Sequence, residues 1–329
     1  MTRLSNIVAK FTLWLYNSPM IKRNHFLITF IFIVTLGLIA MLFKAFNSEE
    51  LTSKVNNDKH QLIVSLLPQK QIVERIAGDN FVVTELIPAG FSPETYDPTV
   101  QDMKVVSQAE VYFKIGKIPF EETNSKKLES TNPSMLIVDT SANNIFREIE
   151  EHSHGDEDLG SDDETDHQEI DPHVWLAPRM VKKQAQLIFD TLSNQYPQYQ
   201  SEFLSNYEKL SAELDALDLE LAQAFLPIKG KTMLVYHPAF GYLARDYDFN
   251  QEHIEIEGKE PSISDLKDII TEAKEDDVRV IFVQKQFSQD SAQSIAQNIN
   301  GVVVEVDPLD PNYFENMRNM AQTISNTLQ

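Results

Sequence analysis

Short, mainly apolar runs recur along most of the chain. Four come early, Leu62 to Leu67, Phe81 to Ile87, Val111 to Ile115 and Met135 to Val138, each followed by Pro, Gly or Asp. Their length and their Val, Ile, Leu and Phe content predict buried strands. Between the first two lies QKQIVERIAG, with Ile72, Val73 and Ile76 at helical spacing and Gly78 as a stop. Strand, helix, strand in that rhythm predicts parallel pairing through right-handed crossovers. The rhythm returns with the runs Thr232 to Tyr236, Val278 to Val283 and Val302 to Val306, separated by helical patterns at Ser264–Ala273 and Ser288–Ile299. Between the two sets, Tyr199 to Phe225 carries apolar residues at Phe203, Tyr207, Leu210, Leu214, Leu217, Leu221 and Phe225, three or four apart throughout. That spacing predicts one amphipathic helix of roughly 40 Å with no interior Gly or Pro. The expected fold class is therefore α/β: two parallel-sheet lobes joined by one long rigid helix, with a cleft between them. A stiff connection of this kind permits only small rigid-body rocking.

The N-terminal region follows a different pattern. Phe26 to Phe43 is an apolar stretch of about 18 residues, long enough to cross a bilayer. Arg3, Lys10, Lys22 and Arg23 precede it, and no acidic residue occurs before Glu49. The positive-inside rule keeps the N-terminus cytoplasmic and sends everything after Lys44 across the membrane. An uncleaved anchor and a cleavable signal peptide are both readings of this segment. Met41 to Asn47 makes a poor cleavage site, which favours the anchor. The expected organisation is a stub and anchor over residues 1–48, a tether over 49–60, an N-terminal lobe over 61–197, the connecting helix over 198–226 and a C-terminal lobe over 227–329. Within the first lobe, Glu148 to Glu169 is almost entirely acidic and contains His152, His154 and His167; it has too little apolar surface to fold alone.

Charge and composition narrow the chemistry. The chain holds 28 Lys and Arg against 50 Asp and Glu, a formal charge of -22, which opposes binding to nucleic acid phosphates. It has no cysteine, which removes disulfides, thiolate metal sites and thiol catalysis. A bound metal must therefore be held by nitrogen and oxygen.

In open α/β sheets, ligands bind beyond the carboxyl ends of the strands. The strand Thr232–Tyr236 runs into His237 in YHPAFGYL, Val302–Val306 into Asp307 in VDPLDP, and Val278–Val283 into Gln284. Phe81–Ile87 runs into PAGFSPETYDPT, which carries Glu94, and His173 lies in DPHVWLAP just before a helix begun by Pro178. Each residue alone has a bland explanation, as a strand-end histidine, a solvated loop glutamate or an aspartate opening a turn before proline. Together, Glu94, His173, His237 and Asp307 form a candidate cage of two imidazoles and two carboxylates for a divalent cation. Trp175, Phe240 and Tyr242 supply a rigid apolar frame. Glu255 and Glu257, in HIEIEGKEPS, read more simply as a solvated loop than as support for a ligand.

SPETYDPT, DPHVWLAP, YHPAFGYL and VDPL, in that order, resemble the metal-specific solute-binding proteins of zinc and manganese ABC importers. The resemblance covers about Gln61 to the C-terminus. It implies two lobes, a connecting helix, and metal ligands at Glu94, His173, His237 and Asp307, with an ABC permease as partner. Family members commonly show His in the SPHTY position where this chain has Glu94. Carboxylates tilt the choice of cargo towards Mn²⁺, while an acidic loop with His152, His154 and His167 as auxiliary collectors tilts it towards Zn²⁺. Zinc is the expected cargo, with affinity falling as histidines protonate below about pH 6.5.

The expected protein is thus a non-enzymatic, monomeric, extracytoplasmic carrier tethered at its N-terminus. A surface adhesin stiffened by metal is the alternative. A metallohydrolase is disfavoured, since no HExxH helix or obvious general base accompanies the ligands.

Overall fold

The computed structural model describes residues 59–149, 170–255, 262–275, 278–287 and 289–329. The candidate membrane segment, the acidic loop with His152, His154 and His167, and Glu257 lie outside these residues. Among the described residues, no helix is long and apolar enough to cross a membrane.

In the first lobe the elements are β1 (His60–Val64), α1 (Leu67–Ala77), β2 (Phe81–Glu85), α2 (Val100–Val106), β3 (Val111–Lys114), α3 (Pro119–Thr131), β4 (Leu136–Asp139) and α4 (Pro178–Gln195). The strands pair in parallel in the order β2-β1-β3-β4. β1 stops earlier than the apolar run does, because Pro68 sits in the first turn of α1, where its fixed φ suits a helix start. Gly78 ends α1 at φ 74°, a backbone state that side-chain-bearing residues avoid.

The 26-residue helix α5 (Gln200–Phe225) follows, with Phe203, Leu210, Leu214, Leu217, Leu221 and Phe225 buried along one stripe. It packs on α1 and α4 of the first lobe.

The second lobe holds β5 (Thr232–Val235), α6 (Gly241–Tyr247), β6 (Asn250–His253), α7 (Ile263–Glu275), β7 (Val280–Gln284), α8 (Gln289–Asn298), β8 (Val302–Val306) and α9 (Tyr313–Leu328). Its parallel sheet runs β6-β5-β7-β8, the same order as the first, and α5 packs against α6 and α9 as well. Both sheets therefore change winding direction at their centre, between β1 and β3 and between β5 and β7, the place where α/β folds form crevices. The edge strand β6, with the sequence NQEH, has no apolar alternation and was not expected from the pattern.

In the first lobe that central position is filled by the protein itself. Glu121 is buried; its two carboxyl oxygens accept the backbone N–H groups of Ile115 and Gly116 at 2.7 Å each, and it also bonds the Ser65 hydroxyl. Burial pushes the Glu121 carboxyl up to about 8, against the opposite pull of those donors. A carboxyl with a folded pKa above its unfolded value of 4.5 binds its proton more tightly in the folded chain. Its contribution is therefore fully present below pH 4.5 and declines as pH rises towards about 8. Urea unfolding of the wild type between these limits should show a decline of up to ~1.4 kcal/mol per pH unit from this group, absent in Glu121→Gln.

Candidate metal site

Three loops bring the site together. β2 leads into the turn carrying Ser92, Pro93 and Glu94, where the Ser92 hydroxyl accepts the Glu94 backbone N–H at 3.2 Å. His173 precedes a single 3₁₀ turn, Val174–Leu176, and Pro178 then starts α4. β5 ends two residues before His237, whose backbone is held at both polar atoms by Gln284 at the end of β7. The Gln284 amide donates to the His237 carbonyl at 2.7 Å and accepts its N–H at 3.4 Å. Phe287 stacks on the His237 ring, with centroids 4.8 Å apart.

Glu94, His173 and His237 each place a ligating atom within 4.8 Å of the other two. Nε2 of His173 is 3.2 Å from Nε2 of His237, and Glu94 Oε1 is 2.7 Å from the latter. The opposite ring nitrogens are both committed to carboxylates. His173 Nδ1 lies 2.8 Å from Asp171 Oδ1, and His237 Nδ1 lies 2.5 Å from Glu255 Oε2. Ionised carboxylates only accept, so each Nδ1 carries a hydrogen, and Nε2 is the nitrogen that offers a lone pair once its ring is neutral. Two imidazole Nε2 atoms and a carboxylate oxygen thus converge on one point in a cleft where both histidines are buried, 5% and 8% exposed. With both rings neutral, such a set repels itself unless a cation lies between its members. Tetrahedral zinc with bonds of about 2.0–2.1 Å separates its ligand atoms by about 3.3 Å, close to the imidazole spacing found.

The electrostatics point the same way. Burial alone pulls the His237 imidazolium down, but hydrogen bonds to Glu255 and Glu94 outweigh it and hold the group up at about 9. Burial likewise pushes Glu94 up, and its bond to His237 overcomes that, leaving the carboxyl below its ordinary value. In the metal-free protein a proton on His237 takes part of the place a cation would fill, and a metal must displace it. Competition between proton and metal at His237 therefore starts nearer pH 9 than the ordinary histidine value of 6.5.

Asp307 stands apart from the three. Its carboxylate meets Lys285 Nζ at 3.1 Å, the Leu309 backbone N–H at 3.0 Å and the Gln286 amide at 3.4 Å. Pro308 and Leu309, next along the chain, do line the cleft.

Glu255 is not a solvated loop residue: it is 6% exposed and bonded to His237. The sequence pattern hid this because β6 was not foreseen, and it is β6 that turns Glu255 inward. The role of Asp171 also went unread, although an acceptor two residues before a candidate histidine is a local signal for it.

The segment carrying His173 is fastened to the second lobe. Tyr242 donates its hydroxyl to the Asp171 carbonyl at 2.7 Å and accepts the Arg147 N–H at 3.1 Å. Trp175 donates its indole N–H to the Pro308 carbonyl at 3.0 Å. Gly241 lies under this junction: a Cβ there would stand 1.9 Å from Arg147 Nη1 and 2.6 Å from Asp171 Oδ2, so those side-chain ends would have to shift. An antiparallel bridge between Glu148 and Ile170 joins the two ends of the acidic segment beside this point.

Two α/β lobes on one stiff helix, with imidazoles and a carboxylate converging in the cleft, define a solute-binding protein for a divalent metal. The family described as zinc-uptake complex component A, periplasmic (ZnuA), matches residues 62–327, and the chain belongs to that family. A crystal structure of ZnuA superimposes with a TM-score of 0.74 at 34% identity, covering 82% of this chain and 99% of that one. A ZnuA deletion mutant with zinc bound gives 0.73 at 34% identity, over 82% and 98%. The zinc-binding lipoprotein AdcA of Streptococcus pneumoniae is 28% identical over 264 residues, 78% of this chain. The chain spans about half the length of AdcA, 51%.

Proposed function

We propose that this chain captures a single zinc ion outside the cytoplasmic membrane, through Glu94, His173 and His237, and presents it to the permease of an ABC importer. The observation that carries the reading is the pair of facing Nε2 atoms 3.2 Å apart, each turned inward by a carboxylate on its other nitrogen. Zinc suits two imidazoles and one carboxylate better than manganese, which favours oxygen. The family is a periplasmic one. The apolar segment Phe26 to Phe43, after four basic residues and before any acidic one, supports tethering of the chain to the membrane. His152, His154 and His167 are proposed as a weak collecting arm, in a segment whose two ends meet beside Asp171. The carrier acts as a monomer.

An adhesin stiffened by its metal would behave differently on chelation. Each described lobe has a core away from the cleft: Phe203, Phe225 and Phe282, among the largest fully buried side chains, lie on α5 and β7. Thermal melts with and without chelator are expected to show a cooperative transition in both, raised by zinc through mass action. Loss of the folded state on chelation would instead support the adhesin.

A further inference from the structure

The register of the second sheet sets Asp307 beside a lysine. β7 and β8 pair in parallel with Gln284 opposite Val306, so the next residues on the two strands, Lys285 and Asp307, leave the sheet side by side. Parallel neighbours lie about 4.8 Å apart, within easy reach of an ammonium on a four-carbon stem. All the donors around the Asp307 carboxylate come from its own lobe. Oδ1 accepts from Leu309 N and Gln286 Nε2, and Oδ2 from Lys285 Nζ. The main chain there is fixed as well, because Asn316 donates to the Asp307 carbonyl at 2.6 Å and Trp175 to the Pro308 carbonyl at 3.0 Å.

The Asp307 side chain is 18% exposed and that of Lys285 49%, so the pair sits at the rim of the cleft. Gln286, Pro308 and Leu309 line the cleft itself, together with Glu94, His173 and His237. The Asp307 carboxylate is one residue from that lining, and to turn inward it would have to leave Lys285, Leu309 and Gln286. The ammonium opposes that in two ways: it occupies the oxygen a metal would need, and it adds a positive charge near the dication.

We infer that Lys285 is a positioning residue of this site: it holds Asp307 at the rim, so that the ion is gripped by Glu94, His173 and His237 and its fourth position is left to water. The inference rests on the proposed metal-capture reading. It gives the chain a built-in limit on affinity, which suits a carrier that must surrender its cargo, since three protein ligands with an exchangeable fourth position form an open site.

The test uses the full chain and its variants Lys285→Met, Lys285→Arg, Asp307→Asn and the Lys285→Met/Asp307→Asn double variant. Zinc affinity is read by competition with a chromophoric chelator, and the ligand field by the visible absorption of the Co²⁺-loaded protein. Asp307→Asn alone should change zinc affinity by less than about fivefold, the scale of a rim ion pair, and leave the Co²⁺ spectrum as in the wild type. Lys285→Met should tighten zinc by up to about fivefold, the strength of the exposed ion pair it removes, and alter the Co²⁺ spectrum as a new oxygen ligand joins. The gain should vanish in the double variant, and Lys285→Arg should restore wild-type behaviour.

A gain that persists in the double variant would reduce Lys285 to a nearby charge and overturn the inference. So would an absence of gain in Lys285→Met, or a loss of about a hundredfold in Asp307→Asn alone, which would mean that Asp307 already ligates. If the wild type itself takes up no zinc, the metal-capture reading falls and takes this inference with it. Wild-type binding with any of the preceding results removes the role of Lys285 alone.

Discussion

Replacing His173 or His237 with alanine is expected to abolish the tight zinc site, leaving only weak binding in a calorimetric titration. Each histidine supplies a lone pair that no neighbour can replace, because the carboxylates next to them already serve the other ring nitrogens. Removing His237 also takes from the buried Glu255 its imidazole donor, which adds the cost of an unsatisfied charge, whereas Asp171 would keep the backbone N–H of residue 173 at 3.0 Å. Two of the three converging groups cannot hold the ion as three do. Tight binding that survives in either variant would mean that the cargo sits elsewhere. Glu255→Gln makes the milder companion: an amide oxygen still accepts the His237 Nδ1–H, and affinity should drop by about 10–100-fold, the range seen when groups that support metal ligands are changed.

The second large effect is expected from α5. Leu214 lies near its middle, 1% exposed, on the stripe that meets both lobes. Leu214→Pro removes a buried side chain worth about 1.5–3 kcal/mol and breaks a helical hydrogen bond, with a ring clash of about 3 kcal/mol or more. The sum approaches the whole stability of a domain, about 5–15 kcal/mol. Urea unfolding should show the variant largely unfolded without denaturant, while Leu214→Ala, at about 2–5 kcal/mol, should retain a cooperative transition at a lower midpoint. A Pro variant with nearly wild-type stability would show that the helix is not the common support of the two lobes.

The architecture was legible because parallel strands buried on both faces write themselves as continuous apolar runs, and because α5 keeps its spacing over 26 residues. Elements with weaker patterns were lost. β6 is an edge strand of polar residues, and α2 is only seven residues long, marked by the capping box between Thr99 and Asp102. At the site, strand-end reasoning led to His237 and, through the turn after β2, to Glu94, while His173 was read from DPHVWLAP ahead of a helix; the three lie together in the structure. The same reasoning could not see that Asp307 leaves its strand beside Lys285. That depends on the register of β7 against β8, a relation between distant segments that no local pattern records. Glu255 was misjudged for a similar reason: an acidic run reads as solvated until a strand is known to turn it inward.

The fastening of the His173 segment bears on how the two lobes are joined at the cleft. Trp175 bonds Pro308 and Asp171 bonds Tyr242, in the lobe that carries β5, while the same segment runs directly into α4 of the other lobe. Glu94 hangs from the first sheet, on the turn after β2. The ring of His173 therefore stands on a strap that belongs to both lobes, so its position is fixed from two sides before any cargo arrives.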